Sequence, residues 1–551
     1  MSASATTTAT LYYLVPEITL VAAATLIYLM GAFCPKQFRP HLTAGGAILV
    51  AAVAAVWQDW RIGIVPRAED FHDGMIVGPI TVDLFGHFAR WAILLFGLLF
   101  VMLSSYSRMV RPAAEYVGSM LLIVAGLMLV ATGYDLVTLF VGLELVSIPT
   151  YVLLYLGRHD PAGQEATAKY FFLSILSSAF LLYGFSFLYG LGGSVRLDEL
   201  HHFLQQASTS EQSGLAASLV YVKYLAPVAM LLVFAGLGFR MTAVPFHFYA
   251  PDVYQGTSHP NAGLLSTLPK IAGLLVLVRV VLAAMPGHDL QELGWQVALV
   301  LSVLTMTLGN VVALWQDNIR RLLAYSSIAH GGYMLIGVAV GFARWQSGSA
   351  PDDAKIDGVG SALFYLAVYC LATIGAFATL NYLGSRERQI DGVDELAGLG
   401  RTRPLPALAL AISMFSLAGV PPLAGFWGKL TLFTGALEVG SAQAAGAIRY
   451  WFIGLALAGV LNAAIAMAYY LRVVAVMYFR SPVTTVQAEG GPGAWWAMVV
   501  SALLVLAVGV YPGPTIERAD QAGRTVRQFP PVERHIPSVV PVPEEALSSV
   551  R

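Results

Sequence analysis

Apolar runs of about twenty residues, separated by short polar connections, recur along almost the whole chain, and each is long enough to cross a bilayer as a helix. They lie near 11–34, 42–57, 82–106, 114–132, 136–156, 166–190, 224–245, 261–285, 293–315, 322–343, 359–383, 404–436, 448–479 and 494–511. Prolines interrupt the 224–255 and 404–436 regions, so helices are expected to break there. Two longer connections are polar. In 191–221 the stretch LDELHHFLQQ has the pattern of a short surface helix, and 344–357 is a loop. SRERQIDGVDELAGLGRTR, near 385–403, reads as a solvated loop. The tail after Tyr511 is rich in Pro, Arg and Glu with little periodicity, and is expected to be disordered or to lie against a partner.

Short-loop cations set the orientation. Lys36, Arg39, Arg108, Arg111, Arg158, Arg320, Arg321, Arg386, Arg388, Arg401, Arg403 and Arg480 fall in loops of one parity. The intervening loops carry Asp59, Asp70, Asp73, Asp198, Glu199, Asp352 and Asp353. The basic face should be cytoplasmic, and an even number of spans then puts both termini outside. MSASATTTAT has no basic n-region and no cleavage pattern before the first apolar run, so it reads as mature chain.

Composition agrees with the pattern. The 551 residues are 57% hydrophobic and 11% charged, with mean hydropathy +0.70, whereas soluble domains carry about 25% charged residues. The net charge of −1 is spread over loops and gives no sign of nucleic-acid binding. Cys34 and Cys370 are far apart, and no Cys/His cluster is present, which argues against iron–sulfur, zinc and disulfide readings.

Against this apolar background, ionisable residues inside spans stand out. Lys270 lies in LLSTLPKIAGLLVLVRVVL, Glu144 in LFVGLELVSIPTYVLLYL, Arg240 in LLVFAGLGFRMTAVPFH, Lys169 in ATAKYFFLSILSS and Lys429 in AGVPPLAGFWGKLTLF. A charge in hydrocarbon costs several kcal/mol unless paired or hydrated, and such groups mark ion paths. Glu144 is well inside its span, where pairing with a cation from another helix would keep it ionised. Lysine suits proton transfer because a desolvated amine can exist in both protonation states. Lys169 has a plainer reading, an ion pair with Glu165 four residues earlier.

Two segments look alike across the halves of the chain. GLGFRMTAVPFHF joins a cation to Pro245, and SLAGVPPLAGFWGKL joins Pro421 and Pro422 to Lys429. Freed carbonyls at such breaks are tolerated where they line a hydrated cavity, and broken helices at matching positions point to an inverted-repeat transporter. His247 follows the first break and His330 lies in LLAYSSIAHGGYMLIG. Either could relay protons or serve as a hydrogen-bonded structural residue. Asp83, His87 and Arg90, at helical spacing, read as an interfacial charge cluster.

The phrases LVPEITLVAAA, FVGLELVSIPTYVLLYL, EATAKYFFLSILSSAFLLYG, VPFHFYAPDVYQG, LLSTLPKIAGLLVLVRV, NIRRLLAYSSIAHGGYMLIG and FSLAGVPPLAGFWGKLTLF resemble the antiporter-like membrane subunits of respiratory complex I. The resemblance implies an all-α polytopic membrane protein of about fourteen spans, with two inverted five-helix repeats, each with a broken helix. The divisions expected are a three-helix segment at 1–110, repeats at 111–285 and 286–480, a helix at 481–511 and a polar tail at 512–551. It further implies that Glu144 is the key glutamate, Lys169 and Lys270 internal lysines, His247 and His330 relay histidines, and Lys429 the lysine of the second broken helix. Arg240 stands where the family has lysine, and arginine does not readily release its proton. The implied activity is proton translocation driven by NADH oxidation and quinone reduction in partner subunits. FMN, iron–sulfur clusters and quinone belong to those subunits, and no cofactor is expected in this chain. The implied partners are membrane and peripheral subunits of the complex, including neighbouring antiporter-like ones, within a bacterial inner membrane. Rival readings are a subunit of a sodium–proton antiporter or of a membrane-bound hydrogenase.

Overall fold

Backbone polar groups in hydrocarbon must be satisfied within the segment, so each apolar run folds as a helix. The computed structural model describes residues 3–34, 39–62, 75–105, 113–158, 160–209, 216–346, 357–384, 388–441, 447–482 and 486–526. Lys36, Arg108, Arg111, Arg386, Asp70, Asp73, Asp352, Asp353 and the tail beyond residue 526 lie outside them.

In chain order the helices are α1 (Ala3–Tyr13), α2 (Val15–Phe33), α3 (Pro40–Ile62), α4 (Leu84–Ser104), α5 (Ala113–Thr132), α6 (Leu136–Gly157), α7 (Pro161–Gly192), α8 (Leu197–Thr209), α9 (Ala216–Met241) and α10 (Ala250–Gly256). They continue with α11 (His259–Val276), α12 (His288–Ala313), α13 (Ile319–Gln346), α14 (Gly358–Tyr382), α15 (Leu399–Thr402), α16 (Pro404–Ala418), α17 (Ala424–Ser441), α18 (Ala447–Phe479), α19 (Gly491–Val510) and α20 (Gly513–Thr525). Thirteen of the described helices are long and apolar enough to cross a membrane. The expected 404–436 span forms the pair α16 and α17, so every predicted span has a helical counterpart. The chain is a multi-pass membrane protein.

Local chemistry explains the helix ends. Asp83, Asp135, Asp160 and Asp357 precede α4, α6, α7 and α14, and each side chain accepts a backbone N–H of the first turn. Asp160 lies outside the spans. Burial works against its charge, but hydrogen bonds from Arg158 and the Gly163 amide hold its carboxyl below the usual range.

Several features depart from the pattern. Residues 75–82 form a hairpin, Met75–Val77 against Ile80–Val82, with Gly78 at φ +61° in its turn. LDELHHFLQQ is helical as expected in α8, but Leu197, Leu200, Leu204 and His201 are buried. The 385–403 stretch is not simply solvated. Ile390, Val393, Leu396 and Leu399 are buried. Ile319 N donates to Asp391 O (2.8 Å) and Val393 N to Asp317 O (2.9 Å). These bonds lay the segment across the start of α13. The beginning of the tail folds as α20 against α14 and α4, and the Asp357 amide donates to Asp520 Oδ1 at 2.6 Å. Gly360 permits this approach, since a Cβ there would fall 2.6 Å from Asp520 Cα. That contact overturns the expectation of disorder for residues 513–525.

The bundle is layered by burial. α11, α13 and α14 are buried along nearly their whole length, whereas α2, α3 and α18 turn most of their surface outward. Lys270 is carried by α11 and His330 by α13, two of these innermost helices.

Candidate functional site

α9 ends at Met241 and the chain does not resume a helix until Ala250. Thr242 there has φ +56°, a conformation costly for a β-branched residue and sustained only by its surroundings. Its amide donates to Phe239 O (3.0 Å) and its hydroxyl to Met241 O (2.6 Å). Lys270 Nζ, fully buried, donates to Thr242 Oγ1 at 2.6 Å. The ammonium therefore faces the negative, C-terminal end of a broken helix. Among the described residues no carboxylate pairs with it.

The second break repeats this arrangement. α16 ends at Ala418, Gly419 takes φ +90°, and its amide closes the turn on Phe415 O (3.0 Å). Lys429, from α17, donates to Leu417 O (2.9 Å) and Ala418 O (2.8 Å), two carbonyls the helix leaves unused. Its Nζ also sits 5.1 Å from the Tyr333 ring centroid. In both halves, a lysine after the break binds the C-terminal end of the helix before it.

His330 lies between them. Its Nδ1 is 2.6 Å from Tyr365 Oη and its Nε2 is 3.0 Å from Tyr470 Oη. The ring packs 4.7 Å from that of Tyr369, whose hydroxyl donates to Ser266 O (3.0 Å) and lies 2.8 Å from Ser327 Oγ. Gly331 lets α13 approach the first break, because a Cβ there would meet Met241 O at 2.5 Å.

Glu144 and Arg240 meet as the sequence suggested. Arg240 Nη2 lies 3.4 Å from Glu144 Oε1, and its Nη1 donates to Ser147 Oγ at 2.8 Å. Ser178 Oγ donates to Glu144 Oε1 at 2.6 Å. Arg240 is buried, but the Glu144 side chain is 25% exposed. It shares a face of α6 with the exposed Val141, Ile148 and Tyr155.

Lys169 is elsewhere. It pairs with Glu165 (2.6 Å) and Asp252 (3.0 Å) and is 40% exposed, so it is not buried in hydrocarbon as its apolar flank suggested. α7 begins at Pro161 and runs 32 residues, more than the roughly 20 a bilayer needs. Its first turns therefore stand in an open polar cavity of about 320 Å³, lined by Arg158, Lys169, Asp252, Arg320 and Asp391. Asp252, outside the spans, is pushed up by burial, but Lys169 and Arg321 outweigh this and hold it below the usual carboxylate range. His247 is half-buried in the first break, with no hydrogen-bond partner for Nδ1 among the described residues.

Sequence reasoning missed several participants. Thr242, Tyr365 and Tyr470 carry no charge and gave no signal. Arg279 did, standing in LVLVRVVL by the criterion that singled out Lys270. It is buried and binds Asp83 with both Nη atoms (2.9 and 3.0 Å), within a π-helical segment, Leu277–Ala283, that continues α11. The expected interfacial cluster is thus partly an interior one. His87 Nδ1 lies 3.0 Å from Asp59, and Arg90 pairs with buried Glu17 at 2.9 Å.

Comparison with known proteins places this geometry. Residues 133–454 match the family described as NADH:quinone oxidoreductase/Mrp antiporter, TM. NADH-quinone oxidoreductase subunit N of Trichlorobacter lovleyi is 36% identical over 536 residues, covering 94% of this chain and 98% of that one. A chain of respiratory complex I from Thermus thermophilus with bound aureothin superposes with TM-score 0.70 at 30% identity, covering 92% and 99%. A chain of the Mrp complex from Dietzia sp. shares the fold, with TM-score 0.75 at 21% identity over 93% and 97%. Taken with the two lysine-capped helix breaks, these matches identify the chain as a member of the NADH:quinone oxidoreductase/Mrp antiporter family, grouped with its subunit N relatives.

Proposed function

We propose that this chain is a proton-translocating membrane subunit of an NADH-quinone oxidoreductase. The observation that carries the reading is the placement of Lys270 and Lys429, each buried and each bound to the C-terminal end of a broken helix. When protonated, Lys429 is stabilised by the helix-end carbonyls and Lys270 by the Thr242 hydroxyl, and loss of the proton frees these acceptors for water. His330, hydrogen-bonded to Tyr365 and Tyr470, lies between the two lysines, and water would complete the path to each. The matching breaks support two inverted repeats, 111–285 and 286–480, with 1–110 and 481–511 as flanking helices.

Arg240 serves as a fixed counter-charge to Glu144, with mobile protons carried by the lysines. Lys169, at the polar cavity, acts at its mouth, and His247 acts in the first break. FMN, iron–sulfur clusters and quinone reside in partner subunits. A neighbouring antiporter-like subunit covers the outward face of α6, because a partly exposed Glu144 within a span costs several kcal/mol against lipid. Arg158, Arg320 and Asp391 share one cavity, and Arg480 pairs with Asp394 (2.6 Å). This supports one basic, cytoplasmic face in the bacterial inner membrane, with both termini outside.

The test is NADH-driven acidification of inverted vesicles whose copy of this chain carries Lys429→Ala. Pumping should fall about a hundredfold or more, the scale of losing one proton-transferring group. It should not require sodium in the unmodified protein. Normal pumping by the variant defeats the reading, and a strict sodium requirement moves the chain to sodium–proton antiport. For the pair at Glu144, Arg240→Lys should preserve pumping and Arg240→Ala should depress it, measured as rate against pH. Wild-type behaviour of Arg240→Ala across the range means that the pair is not used.

A further inference from the structure

Beside the cavity at Lys169, where the chain enters α11, buried polar atoms without protein partners are concentrated. Thr257, Ser258 and His259 are consecutive and at most 1% exposed, and Arg320 is 1% exposed. Thr257 Oγ1, Ser258 Oγ, both ring nitrogens of His259 and Arg320 Nε have no hydrogen-bond partner among the described residues. The Ile390 backbone lies near the ring without hydrogen-bond geometry. A buried polar group left unsatisfied costs about 1–3 kcal/mol, so five such atoms together require water.

Water held by these atoms would make a small hydrated chamber, and charged and polar groups enclose it. Arg320 reaches across it to Thr257 O, Gln389 Oε1 (2.9 Å) and Asp391, so residues 389–391 roof it. Ser258 Oγ lies close to the end of α6, 3.4 Å from where a Cβ on Gly157 would stand. Arg320 and Gly256, next to Thr257, also line the open cavity, so the chamber adjoins bulk water. Seven residues along α11, about 10 Å, Ser266 O accepts from Tyr369, which reaches Ser327 and packs on His330. Lys270 is one turn further.

We propose that this chamber is a proton-entry site and that His259 is its relay. One ring nitrogen accepts a proton from water on the cavity side, the ring turns, and the same nitrogen releases that proton to water on the α11 side. The other nitrogen keeps its hydrogen throughout, so the ring turns back in its starting tautomer and no other group is consumed. Arg320 and Arg158 are the charged groups that act on the ring, and Arg320 engages Asp391. The proposal rests on proton translocation by this chain.

The experiment uses the assembled oxidoreductase. A high-resolution structure should show ordered water within about 3 Å of both His259 nitrogens. A dry ring overturns the proposal. His259→Gln keeps hydrogen-bonding capacity but cannot relay, and His259→Phe fills the chamber. Both should lower pumped protons about a hundredfold or more, with NADH oxidation by a water-soluble acceptor unchanged. If the phenylalanine variant fails to assemble, the glutamine variant decides, and wild-type pumping by it overturns the proposal. Lys270→Ala separates the two levels. If it blocks pumping and His259→Gln does not, only the entry site is wrong; if both pump normally, the translocation reading fails as well.

Discussion

Lys270→Ala is expected to abolish NADH-driven proton pumping by the assembled complex, a loss of about a hundredfold or more, without loss of assembly. The side chain is fully buried and its ammonium binds Thr242 Oγ1. Removing it takes away a group that can hold and release a proton but leaves no carboxylate unpaired. Lys270→Arg sharpens the test. Arginine keeps the charge against the end of α9 but does not release its proton, so it should fail as alanine does. If arginine sustains pumping, Lys270 is a fixed charge and the conducting group lies elsewhere. Assembly is checked by subunit content and by NADH oxidation with a soluble acceptor.

The largest stability effect is expected at the Asp83–Arg279 pair. Both side chains are at most 6% exposed, and Arg279 also donates to Ala131 O (2.6 Å) and lies 4.8 Å above the Phe85 ring. Arg279→Ala leaves the Asp83 carboxylate buried without a partner, at a cost of about 3–5 kcal/mol, and should reduce recovery of the assembled complex on mild heating. Asp83→Asn keeps the α4 cap through its side-chain oxygen yet strands the guanidinium, so it should be nearly as damaging. The double variant Asp83→Asn, Arg279→Met removes both charges and should recover most of the loss. Equal instability of the double variant and Arg279→Ala means that the arginine acts through Ala131 and Phe85 instead.

Those two residues also show how far reading along the chain can go. Lys270 and Arg279 are both cations in one apolar run, and the cost of a buried charge flagged the first. The second meets the same criterion, but nothing in the run names its partner. Its burial depends on α4 and α5, distant in sequence. Lys169 is the converse. Its flanks are apolar, but α7 starts early and carries it into an open cavity, where Glu165 and Asp252 bind it. Local hydropathy does not report how far a long helix projects.

Span positions, the two proline breaks and the residue types able to hold protons were legible because each depends on local chemistry. A run of apolar residues must become a helix in a bilayer, and proline lacks the donor a helix interior needs. Asp83, Asp135, Asp160 and Asp357 likewise cap the helices that follow them, as short-range hydrogen bonding favours. Which groups meet is a different kind of information. Thr242 under Lys270, the tyrosines around His330, the 389–391 roof over His259 and the return of α20 onto α14 all join residues far apart in the chain. Each depends on the few arrangements in which buried polar atoms find partners while glycines such as Gly331 and Gly360 allow backbones to touch. Packing of the whole bundle, which no single segment encodes, selects among them.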